Sequence, residues 1–379
     1  MHIEENKPLA PLTTFGIGGP ARWFVEAASE DEIVQATAWA RERGLMLFVL
    51  GGGSNLLVSD AGFEGLVMRV GLLGIEQLPD EIPSGAEAQN LLGKSMYGLK
   101  PVPFTAGETQ RRTYRAAAGE DWDHFVGRTV KDNCAGIECL AGIPGTVGGT
   151  PVQNVGAYGQ EVSSVIERVR AFDLVERKFT EFSAVECGFA YRRSRFNSTD
   201  RGRYIVTRVD YRLTLGGAPT LRYAELQRAF QSSAEEGTQP SLVDVAAVVR
   251  RVRQGKGMLL VDGDVDCRSA GSFFKNPVVS EELAAEIAAA SGKELPRFPA
   301  GAGNEGLVKL PAAWLIEQAG FAKGYTLGAA GVSSRHTLAL INRGGASAKD
   351  VIALADQIGA AVEARFGIRL EMEPVMVGF

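Results

Sequence analysis

Gly136-Ile-Glu-Cys-Leu-Ala-Gly-Ile-Pro-Gly-Thr-Val-Gly-Gly149, continuing through Gln153-Asn-Val-Gly-Ala-Tyr-Gly159, is the stretch on which the reading of this 379-residue chain turns. Glycine lets a backbone adopt positive φ and approach a ligand with no Cβ in the way. Several N–H groups can then converge on an anion, which is what a nucleotide diphosphate requires. The apolar residues Ile137, Leu140, Ile143 and Val147 recur through the run and supply a buried register to hold it. A loop this rich in glycine and this well anchored reads as a phosphate cradle.

A second glycine run, Gly51-Gly-Gly-Ser-Asn55, follows the apolar segment Leu45 to Leu50, which reads as a buried strand. It is not a dinucleotide fingerprint of the Rossmann kind, since no helical segment follows to offer its N-terminus. Nor is there a Walker loop: Gly93-Lys-Ser95 has Ala88 where the first glycine belongs. Gly16-x-Gly18-x-x-Ala21 lacks a preceding apolar strand. Taken alone, Gly51 to Asn55 also suits a tight turn between strands. A third segment, Ala270-Gly-Ser-Phe-Phe-Lys-Asn-Pro277, sets a hydroxyl, an ammonium and a carboxamide beside an aromatic wall.

Around these loops, periodicity predicts strands at Arg22–Ala27 and Gly65–Val70 and a helix over Asp31–Arg43 closed by Gly44. Residues 1–70 thus form a small α+β unit. From 71 to 112 the pattern dissolves into proline, glycine and serine, and we expect an inserted excursion before regular structure resumes near Tyr114. Val165–Val175 and Tyr204–Leu215 alternate as strands. Beyond Ser241 the texture is helical: Ser241 with Asp244 and Ser347 with Asp350 form capping boxes. Helices are expected at Glu281–Ala290, Ala312–Ala319 and Lys349–Phe366, the last stopped by Gly367 and followed by a strand over Ile368–Val377.

The composition is globular, 45% hydrophobic and 22% charged, with a net charge of −5. That balance argues against a nucleic-acid binder working by phosphate neutralisation. Cys134, Cys139, Cys187 and Cys267 lack CxxC spacing and His2, His124 and His336 form no HxxxH pair, so no metal site is expected. No apolar run is long enough to span a bilayer. With a polar start in place of a signal peptide, the protein is expected to be cytoplasmic and not inserted in membranes; a monomer is the separate expectation for its assembly.

Leu50-Gly-Gly-Gly-Ser-Asn-Leu56, Leu140-Ala-Gly-Ile-Pro-Gly-Thr-Val-Gly-Gly149, Asn154-Val-Gly-Ala-Tyr-Gly159, Tyr191-Arg-Arg-Ser-Arg-Phe196 and Ala270 to Pro277 occur in the order found in UDP-N-acetylenolpyruvoylglucosamine reductases, which this chain resembles from about Leu12 to Gly378, the excursion apart. The resemblance implies an α+β fold: an FAD-binding domain of the vanillyl-alcohol oxidase type in two subdomains (1–70 and 113–255), a substrate-binding domain (256–367) and a terminal strand (368–379). It implies that Gly51, Gly52, Gly53, Ser54 and Asn55 and Gly142, Ile143, Pro144, Gly145, Gly148 and Gly149 wrap the FAD pyrophosphate. Asn154, Gly156 and Ala157 would lie near the flavin, held non-covalently because these segments carry no histidine. Thr220-Leu-Arg-Tyr-Ala-Glu-Leu226, near 218–228, looks like the substrate-capping tyrosine loop of one form of the family. Tyr223 and Tyr158 would then meet the sugar nucleotide.

The resemblance further implies an NADPH-dependent reduction of an enolpyruvyl nucleotide sugar in peptidoglycan synthesis. Arg192 would stabilise the developing enolate, a task suited to a guanidinium fork. Ser272 would donate the proton, with Lys275 a candidate to activate it. Glu373 would assist, with Glu371 the fallback, because residues two apart on a strand face the same side. The family usually has proline between these glutamates, where Met372 stands here. Lys256, Lys275, Lys309, Asn276 and His336 would contact the substrate. Two other readings are an oxygen-using flavin oxidase acting on a sugar or hydroxy acid, and a non-catalytic nucleotide-sugar or flavin-binding regulator.

Overall fold

The computed structural model describes residues 1–79, 110–231, 239–300 and 304–379. The chain divides into two compact units, one made of residues 1–70, 142–145 and 250–379, the other of 71–141 and 146–249.

The first unit opens with β1 (Ile3–Pro8), β2 (Pro20–Ala27), α1 (Glu30–Glu42), β3 (Leu47–Leu50), β4 (Leu56–Val58) and β5 (Phe63–Val70). The sheet order is β1-β2-β5-β3, with β5 parallel to both β2 and β3. In β2 the alternation shows at its end, with Val25 and Ala27 buried and Glu26 between them exposed, and the Ser29 hydroxyl caps α1 by accepting from the Glu32 N–H. The segment expected as a buried strand, Leu45–Leu50, is a shorter edge strand in which only Leu50 is fully buried. The apolar run reflects cover on one face rather than two.

The second unit carries β6 (Ile75–Gln77), β7 (Arg111–Ala117), α2 (Trp122–Lys131), β8 (Cys134–Ala135), the short hairpin β9 (Gly156–Ala157) and β10 (Gln160–Glu161), β11 (Ile166–Asp173), β12 (Lys178–Ser183), β13 (Tyr204–Leu215) and α3 (Ala224–Gln231). The main sheet runs β12-β11-β13-β7-β6, antiparallel throughout. Most of the expected excursion, residues 80–109, lies outside the described residues. Its flanks, β6 and β7, pair directly, Ile75 opposite Ala116. Helix α2, hidden in a region whose texture reads as β, buries Trp122 and Phe125 against Tyr211 of β13, with the Phe125 and Tyr211 ring centroids 4.9 Å apart.

Helix α4 (Leu242–Gly255) opens on the Ser241–Asp244 box, whose two reciprocal bonds are both formed. The rest of the first unit adds β14 (Val278–Ser280), α5 (Glu281–Ser291), β15 (Phe298–Pro299), β16 (Leu307–Lys309), α6 (Ala312–Gln318), β17 (Thr326–Leu327), β18 (Ala330–Val332), β19 (Leu340–Asn342), α7 (Ala348–Phe366) and β20 (Val375–Val377). The capping box at Ser347 and Asp350 is complete, and α7 ends on Gly367 at φ 66°. Its stripe of Val351, Leu354, Ile358 and Val362 packs into one core with Leu315, Phe273 and Phe274. The terminal strand is shorter than expected. Only β20 is a strand, parallel to β4, while Met372 pairs with Phe274 through a single antiparallel bridge. Pro374, without an N–H, stands where the segment changes partner.

Among the described residues there is no group of three or more His, Cys, Asp or Glu side chains arranged to hold a metal ion. None of the described helices is long and apolar enough to cross a membrane.

One ion pair pins the β11–β12 turn to β13. Asp173 is buried, accepts from the Val175 and Glu176 N–H groups, and takes a forked contact from Arg203, the closest at 2.7 Å. The guanidinium is the main cause that holds this carboxyl down to about 2. The native value lies below that of an unfolded chain, so the stabilisation is present above about pH 4 and is lost as pH falls from there through 2. Asp173→Asn is expected to lower the unfolding free energy at neutral pH by about 1–3 kcal/mol. It should also flatten the acid loss of stability, and identical pH slopes in urea titrations of the two proteins would contradict this.

Candidate active site

In the first unit the Gly51–Asn55 loop is shaped by a contact that excludes a side chain. Gly53 has φ 66°, and a Cβ there would lie 1.8 Å from the Leu12 carbonyl oxygen. Thr14 N–H donates to the Gly53 carbonyl at 3.1 Å. The Ser54 hydroxyl donates to the Pro144 carbonyl at 2.8 Å, which joins this loop to Gly142–Gly145. Gly142, at φ 72°, is held through its carbonyl by the buried Arg253, whose Nε donates at 2.9 Å and whose Nη2 donates to the Met258 carbonyl at 2.7 Å. Gly51 and Gly52 line a cleft of about 450 Å³ together with Thr13, Arg69, Val261 and Arg268.

The Asn55 carbonyl accepts from the Val375 N–H at 2.9 Å, and the Asn55 carboxamide reaches the Glu373 carbonyl at 3.4 Å. The C-terminal segment is thereby strapped to the glycine loop. Beside it runs the Ala270–Pro277 segment: Glu373 N–H donates to the Phe273 carbonyl and Lys275 N–H to the Glu371 carbonyl, both at 2.9 Å. Ser272 is half-buried and follows Gly271, which takes φ 74°, and it precedes Phe273 and Phe274, both sunk in the core. The structure therefore brings Ser272 and the Glu373 backbone onto neighbouring strands of chain.

The two glutamates that strand periodicity leaves equivalent differ in their surroundings. Glu371 is 72% exposed and its carboxylate forms an ion pair with the Lys275 ammonium. Glu373 is half-buried. Asn276 accepts the Ala312 N–H at 2.9 Å through its Oδ1 and so caps α6. Lys256 and Lys309 are half-buried, at the end of α4 and in β16. His336 is half-buried in a turn where its N–H donates to the Ser333 hydroxyl.

In the second unit, Gly148 N–H donates to the Ala118 carbonyl at 2.9 Å, and a Cβ on Gly148 would come within 2.6 Å of Ala118 Cβ. Gly149 beside it is exposed. Of the non-glycine residues of this unit with left-handed backbone, three lie at or beside the β9–β10 hairpin: Asn154 (φ 46°), Tyr158 (φ 49°) and Arg192 (φ 53°). Each such residue costs roughly 1–2 kcal/mol and persists only where its surroundings compensate. Asn154 is buried, and its carboxamide donates to Glu161 and the Ala190 carbonyl and accepts from the Ser163 N–H. Arg192 occupies the third position of a turn closed from Arg193 N–H to the Ala190 carbonyl. Its Nη2 donates to the Gly156 carbonyl at 2.8 Å, and Asn197 donates to the Arg192 carbonyl. Arg192 and Asn154 thus converge with Gly156 and Ala157 on the β9–β10 hairpin.

Tyr158 and Gly159 form the two-residue tip of that hairpin, both with positive φ, as a tight right-twisting turn requires. The Tyr158 ring meets the Tyr223 ring edge-on, centroids 5.5 Å apart. Tyr223 is 42% exposed and immediately precedes α3.

Sequence reasoning overlooked Glu138, Gln160 and Arg253, which brace these loops from inside. Glu138 carried a usable signal: a carboxylate set among Ile137, Cys139 and Leu140 has to find hydrogen-bond donors within the fold.

Residues 263–377 match the family model described as the C-terminal domain of UDP-N-acetylenolpyruvoylglucosamine reductase, and residues 105–178 match one described as an FAD binding domain. A protein of Thermobifida fusca named UDP-N-acetylenolpyruvoylglucosamine reductase is 43% identical over 380 aligned positions, covering 98% of this chain and 97% of its own. A protein of the same name from Streptomyces coelicolor is 43% identical, covering 98% and 90%. The crystal structure of the Thermus caldophilus reductase of that name superposes with a TM-score of 0.62 at 26% identity over 100% of this chain and 99% of its own. Identity of this degree over almost the whole length of both chains supports one conclusion: the chain belongs to the UDP-N-acetylenolpyruvoylglucosamine reductase family, with its FAD-binding domain and α+β fold.

Proposed function

We propose that the protein reduces the enolpyruvyl ether of UDP-N-acetylglucosamine to the D-lactyl ether, UDP-N-acetylmuramate, with NADPH as reductant and FAD bound non-covalently, as a step of peptidoglycan precursor synthesis. The observation that carries this reading is the 43% identity to a reductase of that name across 98% of the chain. The loops fit the cofactor. A dinucleotide pyrophosphate takes backbone N–H donors, and the Cβ-excluding Gly53, the positive φ of Gly142 and the cleft lined by Gly51 and Gly52 offer bare backbone of that kind.

Bound FAD would supply the hydride-carrying chemistry between NADPH and the sugar. The protein's own groups have to manage charge and a proton. Hydride addition at the terminal carbon turns the enolpyruvyl methylene into a methyl group and drives electron density onto the adjacent carbon and carboxylate. The Arg192 guanidinium, its backbone fixed by the turn and its Nη2 on Gly156, stabilises that charge without reorganising. The Ser272 hydroxyl then passes its proton to the adjacent carbon, completing the lactyl ether. Glu373 takes the assisting role and Glu371 does not, because the Glu371 carboxylate is solvent-exposed and committed to Lys275. That ion pair also draws the Lys275 ammonium away from the task of activating Ser272. Tyr158, Tyr223, Lys256, Lys309, Asn276 and His336 contact the nucleotide sugar.

Three measurements test this. The purified protein should show a flavin absorbance spectrum and oxidise NADPH over many turnovers only when the enolpyruvyl sugar is present; oxygen consumption on another sugar without NADPH would favour an oxidase instead. In stopped flow, Ser272→Ala should leave NADPH-driven flavin reduction within about twofold while turnover of the sugar falls about 10²- to 10⁴-fold. Loss of the NADPH half-reaction would remove the proton-donor assignment. Glu373→Gln should lower kcat by about 10²-fold or more, whereas Glu371→Gln should change it by less than about threefold. The reverse ranking would exchange their roles.

A further inference from the structure

Glu138 is completely buried within the glycine-rich run, and its carboxylate is answered by N–H dipoles. Its Oε2 accepts from the Gly136 N–H and its Oε1 from both Gln160 Nε2 and the Thr220 N–H, each at 2.8 Å. A buried carboxylate with this bonding is costly to disturb, because any donor it loses is replaced by nothing.

Thr220 is held at every polar atom. Glu138 takes its N–H, Gln160 Nε2 donates to its hydroxyl at 3.2 Å, and the Cys139 thiol donates to its carbonyl at 3.2 Å. Burial pushes the Cys139 thiol far above the usual range, so it stays protonated and remains a donor. Gln160 in turn accepts the Cys139 N–H through Oε1 at 2.8 Å. Three residues beyond Thr220 lies Tyr223, and two residues before Gln160 lies Tyr158, the strained hairpin residue against whose ring Tyr223 packs. One carboxylate therefore ties down both supports of the tyrosine pair.

We propose that Glu138 is a positioning residue that presets the Tyr158–Tyr223 pair for the sugar nucleotide, by clamping Thr220 on one side and the β9–β10 hairpin on the other. The inference rests on the reading of Tyr223 as a substrate contact. Replacing the carboxylate by a carboxamide keeps one acceptor oxygen and turns an NH₂ group toward at least one of the present donors. The backbone supports of the tyrosines then loosen while the catalytic groups Arg192, Ser272 and Glu373 are untouched.

The test uses the flavin-loaded enzyme. Glu138→Gln should raise KM for the enolpyruvyl sugar about tenfold, with NADPH-driven flavin reduction within about twofold. Placed in a Tyr223→Ala background, the same change should alter KM by less than about twofold, since the pair it presets is already gone. Without substrate, backbone hydrogen exchange of the 220–223 segment should accelerate about tenfold or more in Glu138→Gln. An equal rise of KM in both backgrounds, unchanged exchange at 220–223, or release of flavin would each overturn the proposal. Should Tyr223→Ala leave KM unchanged, the substrate-contact reading fails and the proposal with it. A raised KM in Tyr223→Ala alongside unchanged exchange in Glu138→Gln sinks the proposal alone. If Glu138→Gln does not fold, Cys139→Ala, which removes the thiol bond to Thr220 and leaves the Glu138 carboxylate in place, should show the same pattern at about threefold in KM, and no change in KM or exchange would count against the clamp.

Discussion

Bare backbone held under load is the constraint on which the rest of this structure depends. At Gly53 the loop presses so closely on the Leu12 carbonyl that a Cβ would sit 1.8 Å from it, and a positive φ makes the turn possible at all. The glycines of such a loop offer no side chains to hold it, so neighbouring residues and carbonyl contacts brace it together with the Gly142–Gly145 loop. Ser54 grips Pro144, Arg253 grips Gly142, and Thr14 grips Gly53 itself. Bonding carbonyls from behind leaves the direction of the N–H groups to the turn, the arrangement by which bare backbone can receive an anion.

The second unit meets a comparable demand by accepting strain. Asn154, Tyr158 and Arg192 all adopt the conformation that side chains disfavour, and all three converge on one short hairpin. Isolated, such residues would relax. Here the Asn154 carboxamide makes three bonds, Arg192 is held at its guanidinium and its carbonyl, and Gln160 is anchored on Glu138. All four cysteines are buried, and in Cys187, as in Cys139, burial pushes the thiol up, here to about 12, which suits packing and hydrogen-bond donation and not nucleophilic chemistry.

Where the sequence was legible, the reason is local. Capping boxes at Ser241 and Ser347, the apolar stripe of α7 and the alternation of β13 each encode their element within a few residues, and each forms over the span or within a residue or two of it. Helix α2 was illegible because its neighbours carry β texture, although its aromatic face packs the centre of the second unit. The terminal segment looked like one strand because alternation says nothing about a change of partner, and Pro374 marks the place where the partner changes.

The order and spelling of five motifs were enough to identify the family and to propose FAD and the chemistry that goes with it, because backbone-binding loops advertise themselves through glycine. What tertiary structure alone decided is the company each polar group keeps. It put Glu371 in solvent beside Lys275 and Glu373 against Phe273, a difference invisible to a period of two. It spent the Asn276 oxygen on capping α6 and joined Glu138 to Thr220 across 82 residues of chain. Hydrogen bonds between distant segments depend on where folding delivers their partners, and no local pattern of residues contains that information.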